Sequence, residues 1–217
     1  MAKFIETGLT GYRECWDLQK RIRAEVLAGA DERILLVEHR PVYTLGFHGD
    51  EHNLLRLPEG TECIRIERGG DITYHGPGQL VVYPILDLRR RGIGVKQYVH
   101  LLERWVTDIL EACGVSGAQI TDEAPGVWLG MDTGKPRKIC ALGVKISHGV
   151  TMHGYALNVT TDLRGFSAIN PCGFTDRGVT SIAAELMRGR ELSEKEKAEL
   201  FSATVELCRR CVPQELI

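Results

Sequence analysis

The chain has 217 residues, 43% of them hydrophobic, which suits one domain of ordinary size with a sizeable core. Its 27 basic and 29 acidic residues are spread evenly and leave a formal charge of −2, which excludes a basic stripe for nucleic acid and a polybasic patch for an anionic membrane. No run approaches the ~20 apolar residues that span a bilayer, and the N-terminus lacks the apolar core of a secretory signal, so the expectation is a cytoplasmic protein with no membrane partner.

Between Tyr12 and Leu27, the residues Tyr12, Cys15, Trp16, Ile22 and Val26 share one face, as in an amphipathic helix. Ile34–Val37 is a continuous apolar run that fits a strand covered on both faces, and Pro41 breaks it before a second strand, Val42–Leu45. Thr61–Glu67 and Leu80–Leu86 read as two more strands, separated by a glycine-dense segment from Arg68 to Gln79. Gly94 to Cys113 is the strongest helix, because Tyr98, Val99, Leu102, Trp105, Val106, Ile109 and Leu110 recur at three- and four-residue steps; Gly114 stops it. Val127–Leu129 is a short strand and Met131–Pro136 a turn. Lys138–Ile146 then pairs with Thr151–Val159 through Ser147-His148-Gly149, and in the second strand His153, Tyr155, Leu157 and Val159 alternate with smaller residues as in a half-buried strand. Ser193 to Glu196 is a capping box that opens a helix striped by Phe201, Val205, Cys208 and Val212. The elements interleave without the regular alternation of a doubly wound sheet. The fold class is therefore α/β or α+β, a single domain over residues 1–217 built on a mixed β-sheet flanked by helices.

Seven cysteines without framework spacing read as free thiols, and Cys208-Arg-Arg-Cys211 lacks two further zinc ligands nearby, so no metal is expected. Gly69, Gly70, Gly76 and Gly78 let a ligand lie against backbone N–H groups, with Arg68, Thr73, Tyr74, His75 and Gln79 set among them. Gly76-Pro77-Gly78 precedes a strand, the wrong context for a dinucleotide fingerprint, and Gly134-Lys135 runs into Pro136 rather than forming a phosphate loop. Cys172 sits between a proline and a glycine, where a bend presents the thiol; an ammonium such as Lys138 would favour its thiolate, or a desolvated Lys138 would serve as a base. On the residues alone two readings stay open, a catalytic pair or a core cysteine with a surface lysine. A lone His153 on an apolar strand is more often a satisfied core histidine than a catalyst.

Taken together, Glu38–Gly46, Arg68–Gln79, Lys138–Gly143, His153–Asn158 and Pro171-Cys172-Gly173 resemble, in order and spacing, the lipoyl(octanoyl) transferases, the octanoyl-acyl carrier protein:protein N-octanoyltransferase family. The resemblance covers nearly the whole chain. It implies a core similar to that of biotin and lipoate protein ligases, and an ATP-independent acyltransferase with no cofactor. Its donor would be octanoyl-acyl carrier protein, and its acceptors the lipoyl domains of 2-oxoacid dehydrogenase complexes and the glycine cleavage H protein. It makes Cys172 the acyl-thioester nucleophile and Lys138 the lysine that tunes it. It assigns substrate binding to Arg68, Gly69, Gly70, Asp71, Ile72, Thr73, Tyr74 and His75, to Ala141, Leu142 and Gly143, and to Gly154, Tyr155 and Ala156, with His153 and Gln79 in support. Backbone N–H groups at Leu142-Gly143 or at Gly69-Gly70 are the two candidate oxyanion donors. Phe47-His48-Gly49 departs from the basic residue that commonly follows Gly46 in the family, which bears on the docking surface. Two other classes fit parts of the pattern. An ATP-dependent ligase would need a nucleotide site and no nucleophilic cysteine, and a carrier-protein binding module would dispense with both Cys172 and Lys138.

Overall fold

The computed structural model describes residues 2–122, 125–170, 177–187 and 189–217. The first half of the chain runs β1 (Lys3–Thr10), α1 (Tyr12–Leu27), β2 (Arg33–His39), β3 (Val42–Leu45), β4 (Cys63–Arg65), β5 (Ile72–His75), β6 (Gln79–Ile85), α2 (Leu88–Arg91) and α3 (Val95–Ala112). The second half runs β7 (Gln119–Ile120), β8 (Gly126–Leu129), β9 (Arg137–Ser147), β10 (Val150–Asn158), β11 (Gly178–Val179), α4 (Ile182–Met187) and α5 (Glu194–Arg210). Among the described residues, the main sheet has the order β1-β2-β6-β10-β9-β8-β7, with β11 added beside β9, and β4-β3-β5 forms a second, three-stranded sheet. Parallel and antiparallel pairs are mixed, since β1 runs parallel to β2 while β6, β10, β9 and β8 pair antiparallel. This is the expected mixed sheet flanked by helices.

Several elements differ from the sequence reading, which also lacks the short α2, β7, β11 and α4. Lys3–Thr10 is a strand at the sheet edge; its partly exposed pattern and the left-handed Gly8 (φ 63°) at a register shift hide it from a periodicity scan. Ile72–His75 is a strand inside the glycine-dense segment, and Thr61–Glu67 shrinks to Cys63–Arg65. The alternation in β10 suggested a half-buried strand, yet all nine residues are buried, because the strand is central in the sheet. On one side α1 packs Cys15, Ile22 and Val26 against Val81, Tyr83 and Ala156; on the other, Trp105, Val106 and Ile109 of α3 and Cys208 of α5 join the core of Val82, Tyr155 and Leu157.

The β9–β10 hairpin forms as its sequence suggests. His148 (φ 53°) and Gly149 (φ 80°) are both left-handed, the geometry of a two-residue turn whose twist matches that of the strands. At the other end of the chain the Ser193 hydroxyl accepts from the Glu196 N–H, and the Glu196 carboxylate accepts from the Ser193 N–H, closing the capping box. No helix among the described residues is long and apolar enough to cross a membrane. Pro171, Cys172 and Gly173 lie outside the described residues.

Candidate active site

Register in the hairpin sets Ala141 opposite Ala156 and Gly143 opposite Gly154. These small residues let neighbouring backbone come close. A Cβ at Gly154 would stand 2.1 Å from the Val82 carbonyl oxygen, and one at Gly143 would stand 2.9 Å from that of Gly69. The Arg68–Gly70 loop can therefore lie across β9, where the Gly69 N–H donates to the Val144 carbonyl at 3.0 Å. Loop and hairpin close round a cavity of about 480 Å³. Its lining includes Arg68, Gly69, Gly70, Asp71, Ile72, Thr73, His75 and Gln79 from the loop side, and Lys138, Ala141, Leu142, Gly143, His153, Gly154, Tyr155 and Ala156 from the hairpin. Of the described residues expected at the site, Tyr74 alone does not line it. Its ring packs against Tyr43 and Phe166 at 5.3 and 5.4 Å.

Lys138 is buried at 8% exposure, which settles against a surface lysine. Its ammonium donates to the Pro125 carbonyl at 3.3 Å and lies 4.5 Å from the centre of the Trp128 ring, an arrangement that holds a cation at an apolar wall. The guanidinium of Arg177 sits 5.3 Å from the same ring. β11 pairs beside this position: Val179 is opposite Lys138, and the Thr180 N–H donates to the Lys138 carbonyl at 3.0 Å. Two residues before Cys172 in sequence, the Asn170 N–H donates to the Asn53 carbonyl at 2.8 Å.

The opposite wall is polar and buried. Arg68, 8% exposed, donates to the Thr44 carbonyl at 2.7 Å, to the Thr44 hydroxyl at 3.0 Å and to the Gly69 carbonyl at 2.9 Å. His75 contacts Gln79 at 2.7 Å, and Gln79 in turn reaches Asn158 at 2.9 Å. Burial drives the His75 imidazole well below its usual pKa, with nearby His39 adding to the effect. His39, hydrogen-bonded to the Tyr83 hydroxyl at 3.0 Å, is lowered to about 4 by burial. Burial and then the charge of Arg68 lower His153 to about 3. His153 is also left-handed (φ 57°), and neither ring nitrogen has a hydrogen-bond partner among the described residues. A positive φ at a non-glycine residue is strained, and here it falls at the cavity wall. Burial thus holds these histidines neutral near pH 7.

Asp71 lines the cavity but spends its carboxylate on the loop, accepting from the Asp50 N–H at 3.0 Å and from the Asn53 amide at 2.5 Å. Sequence reasoning missed Tyr12, Tyr83, Val99, Pro125 and Asn158, all of which line the cavity. Tyr12 and Val99 fall on the apolar stripes of α1 and α3 and read as core. The one available signal was polarity out of place, as with Tyr83 in the apolar run of β6 and Asn158 at the end of β10.

The family profile described as the lipoyl protein ligase A/B catalytic domain matches residues 11–205. The chain is 54% identical over 169 residues to an octanoyltransferase of Bacteroides fragilis, covering 76% of each chain. It is 45% identical over 199 residues to an octanoyltransferase of Citrifermentans bemidjiense, covering 92% of this chain and 93% of the relative. In three dimensions it resembles a bi-partite lipoate protein ligase of Thermoplasma acidophilum with a TM-score of 0.63, at 14% identity, over 96% of this chain and 84% of that one. At that identity the structural likeness shows the fold.

Proposed function

The chain belongs to the lipoyl protein ligase A/B catalytic-domain family, and from that premise we propose that it acts as a single catalytic domain that moves an octanoyl group from acyl carrier protein, through a thioester on Cys172, to a lysine of a lipoyl domain. The activity is that of an acyltransferase, octanoyl transfer in lipoate biosynthesis. The observation that carries the finer reading is a buried lysine at the wall of the cavity, with β11, a few residues beyond Cys172 in sequence, hydrogen-bonded to that lysine's own backbone.

The Lys138 ammonium favours the Cys172 thiolate over the thiol. The thiolate attacks the carbonyl carbon of the octanoyl thioester, the bond from that carbon to the carrier's sulfur breaks, and the leaving thiolate takes a proton from Lys138. One thioester has replaced another at little net free energy. Lys138 is now neutral. An acceptor lysine, with an ordinary pKa of about 10.4, arrives as its minority free amine and attacks the acyl-enzyme. The bond to the Cys172 sulfur breaks, Lys138 takes the proton released as the amide forms, and thiolate and ammonium are restored. Amide formation drives the sequence forward. The tetrahedral oxyanion of each half needs backbone donors. Since the Gly69 N–H is given to Val144, the loop's candidate is Gly70, alongside Leu142-Gly143 in β9.

The donor's bond is already activated, so no nucleotide takes part. Octanoyl transfer to an apo lipoyl domain should run at the same rate with ATP removed enzymatically. A strict requirement for ATP and free octanoate would make the protein a ligase instead.

A further inference from the structure

Two buried carboxamides, Gln79 and Asn158, stand between the substrate loop and the strand beside Lys138, 1% and 4% exposed. Their orientations follow from what they face. The Gln79 Nε2 lies 3.2 Å from the Tyr74 carbonyl, which can only accept, so the nitrogen must be on that side and Oε1 must face His75. Likewise the Asn158 Nδ2 lies 2.9 Å from the Thr180 carbonyl, so Oδ1 must receive the second Gln79 hydrogen at 2.9 Å. With Oε1 of Gln79 as acceptor at 2.7 Å, His75 must carry a proton on Nδ1. The neutral ring then holds its lone pair on Nε2, 3.4 Å from the Thr44 hydroxyl, which takes a hydrogen from Arg68. The bonds all point one way, from Arg68 through Thr44, His75, Gln79 and Asn158 to the carbonyl of Thr180.

We propose that Asn158 is a positioning residue for the transfer: through Gln79 it holds His75 as the neutral Nδ1–H tautomer in the cavity wall, and through Thr180 it holds β11 against Lys138. The role rests on the proposed function, in which Lys138 serves the acyl transfer. Thr180 is clamped from both sides, since its N–H donates to the Lys138 carbonyl and its carbonyl accepts from Asn158. Substrate wall and catalytic strand are thereby assembled as one unit, and breaking one bond of an aligned buried chain disturbs its neighbours.

The charged and titratable groups round His75 are Arg68, His153, His39 with its ring centre at 5.7 Å, and Tyr12 at 5.9 Å. None is a carboxylate, so His75 of the intact enzyme should show the Nδ1–H tautomer without titrating from pH 8 to 5 in long-range nitrogen–proton NMR, with His75→Gln identifying the signal. Gln79→Glu keeps the acceptor but makes it an anion, and the ring should then take up a proton within that range. Asn158→Asp is nearly isosteric, keeps the acceptor for Gln79, and replaces the donor to Thr180 with a carboxylate oxygen that repels its carbonyl. It should lower kcat by up to about 100-fold while the KM for octanoyl-acyl carrier protein stays within about twofold. An Nε2–H tautomer or an imidazolium at pH 7 in the wild type would overturn the proposal, as would an unchanged kcat or a loss confined to KM in Asn158→Asp. The NMR arm needs no turnover. If the tautomer is found while the wild type forms no octanoyl adduct on Cys172, the reading of the reaction fails and the amide orientation stands.

Discussion

The core under α3 and α5 and the wall between β5 and the β9–β10 hairpin are buried to the same depth, yet they are built from opposite materials. Under the helices, Trp105, Val106, Ile109, Leu110 and Leu157 are at 0% exposure and apolar, and the Trp105 N–H finds the Cys208 carbonyl at 2.8 Å. In the wall, His75, His153, Arg68 and Gln79 are also buried, with His39 behind them, and neither ring nitrogen of His153 has a hydrogen-bond partner among the described residues. Burying unsatisfied polar groups costs stability that an apolar wall would not cost. The first region holds the fold together, and the second spends part of that stability on a shaped cavity.

The sharpest way to break this contrast is to remove one large group from each region. Lys138→Ala should reduce octanoyl transfer by about 10² to 10⁴, the usual worth of a positioned acid–base group, with little change in the denaturation midpoint. Trp105→Ala should instead cost about 3–5 kcal/mol of stability in chemical denaturation, while the folded fraction keeps its turnover. Equal loss of kcat in the two variants would erase the distinction. A smaller effect is expected at Gly143→Ala, where the new Cβ meets the Gly69 carbonyl oxygen and the Arg68 side chain at 2.9 and 3.0 Å. Pushing the loop off β9 should cost about 1–3 kcal/mol and slow transfer as well, whereas an overpacked core position should lose stability alone.

The third expectation separates the regions by pH. His39 and His153 have folded pKa values near 4 and 3, against an ordinary value of about 6.5, so the unfolded chain binds protons that the folded wall refuses. Their neutral burial is tolerated fully above about pH 6.5. Below it, stability should fall by up to about 1.4 kcal/mol per pH unit for each histidine, until the folded pKa values are reached near pH 4 and pH 3. Denaturant melts over that range should show the slope, and His153→Gln should reduce it. A slope unchanged in that variant would mean that the ring charges without penalty. The smallest effect is a null one. Burial pushes the Cys15 and Cys208 thiols up to about 12, so brief iodoacetamide treatment of the folded protein near neutral pH should leave both unlabelled, as peptide mass spectrometry would report.

The same contrast decides what could be read before the structure. α3 and the hairpin were legible because their apolar periods and the His148-Gly149 turn agree with the tertiary fold. β1 was not, since Phe4, Ile5 and Leu9 are its only large apolar residues and its edge position demands no more. At the site, the glycines and clustered polar residues pointed to the loop and hairpin. Tyr12 and Val99 were absorbed into helix stripes, because periodicity cannot tell a residue facing a core from one facing a cavity. The left-handed backbone of His153 has no sequence signature, and the pairing of Gln79 with Asn158 joins residues brought together only by the antiparallel register of β6 and β10, which sets them opposite each other.

The central claim is that the cavity serves an acyl chain carried on Cys172 and that Lys138 makes that thiol reactive. Intact-protein mass spectrometry after brief mixing with octanoyl-acyl carrier protein tests it most directly. The account predicts a single added octanoyl mass, removed by hydroxylamine, lost in Cys172→Ala and formed far more slowly in Lys138→Ala. An adduct that persists in Cys172→Ala, or one that forms at the wild-type rate without Lys138, would contradict it.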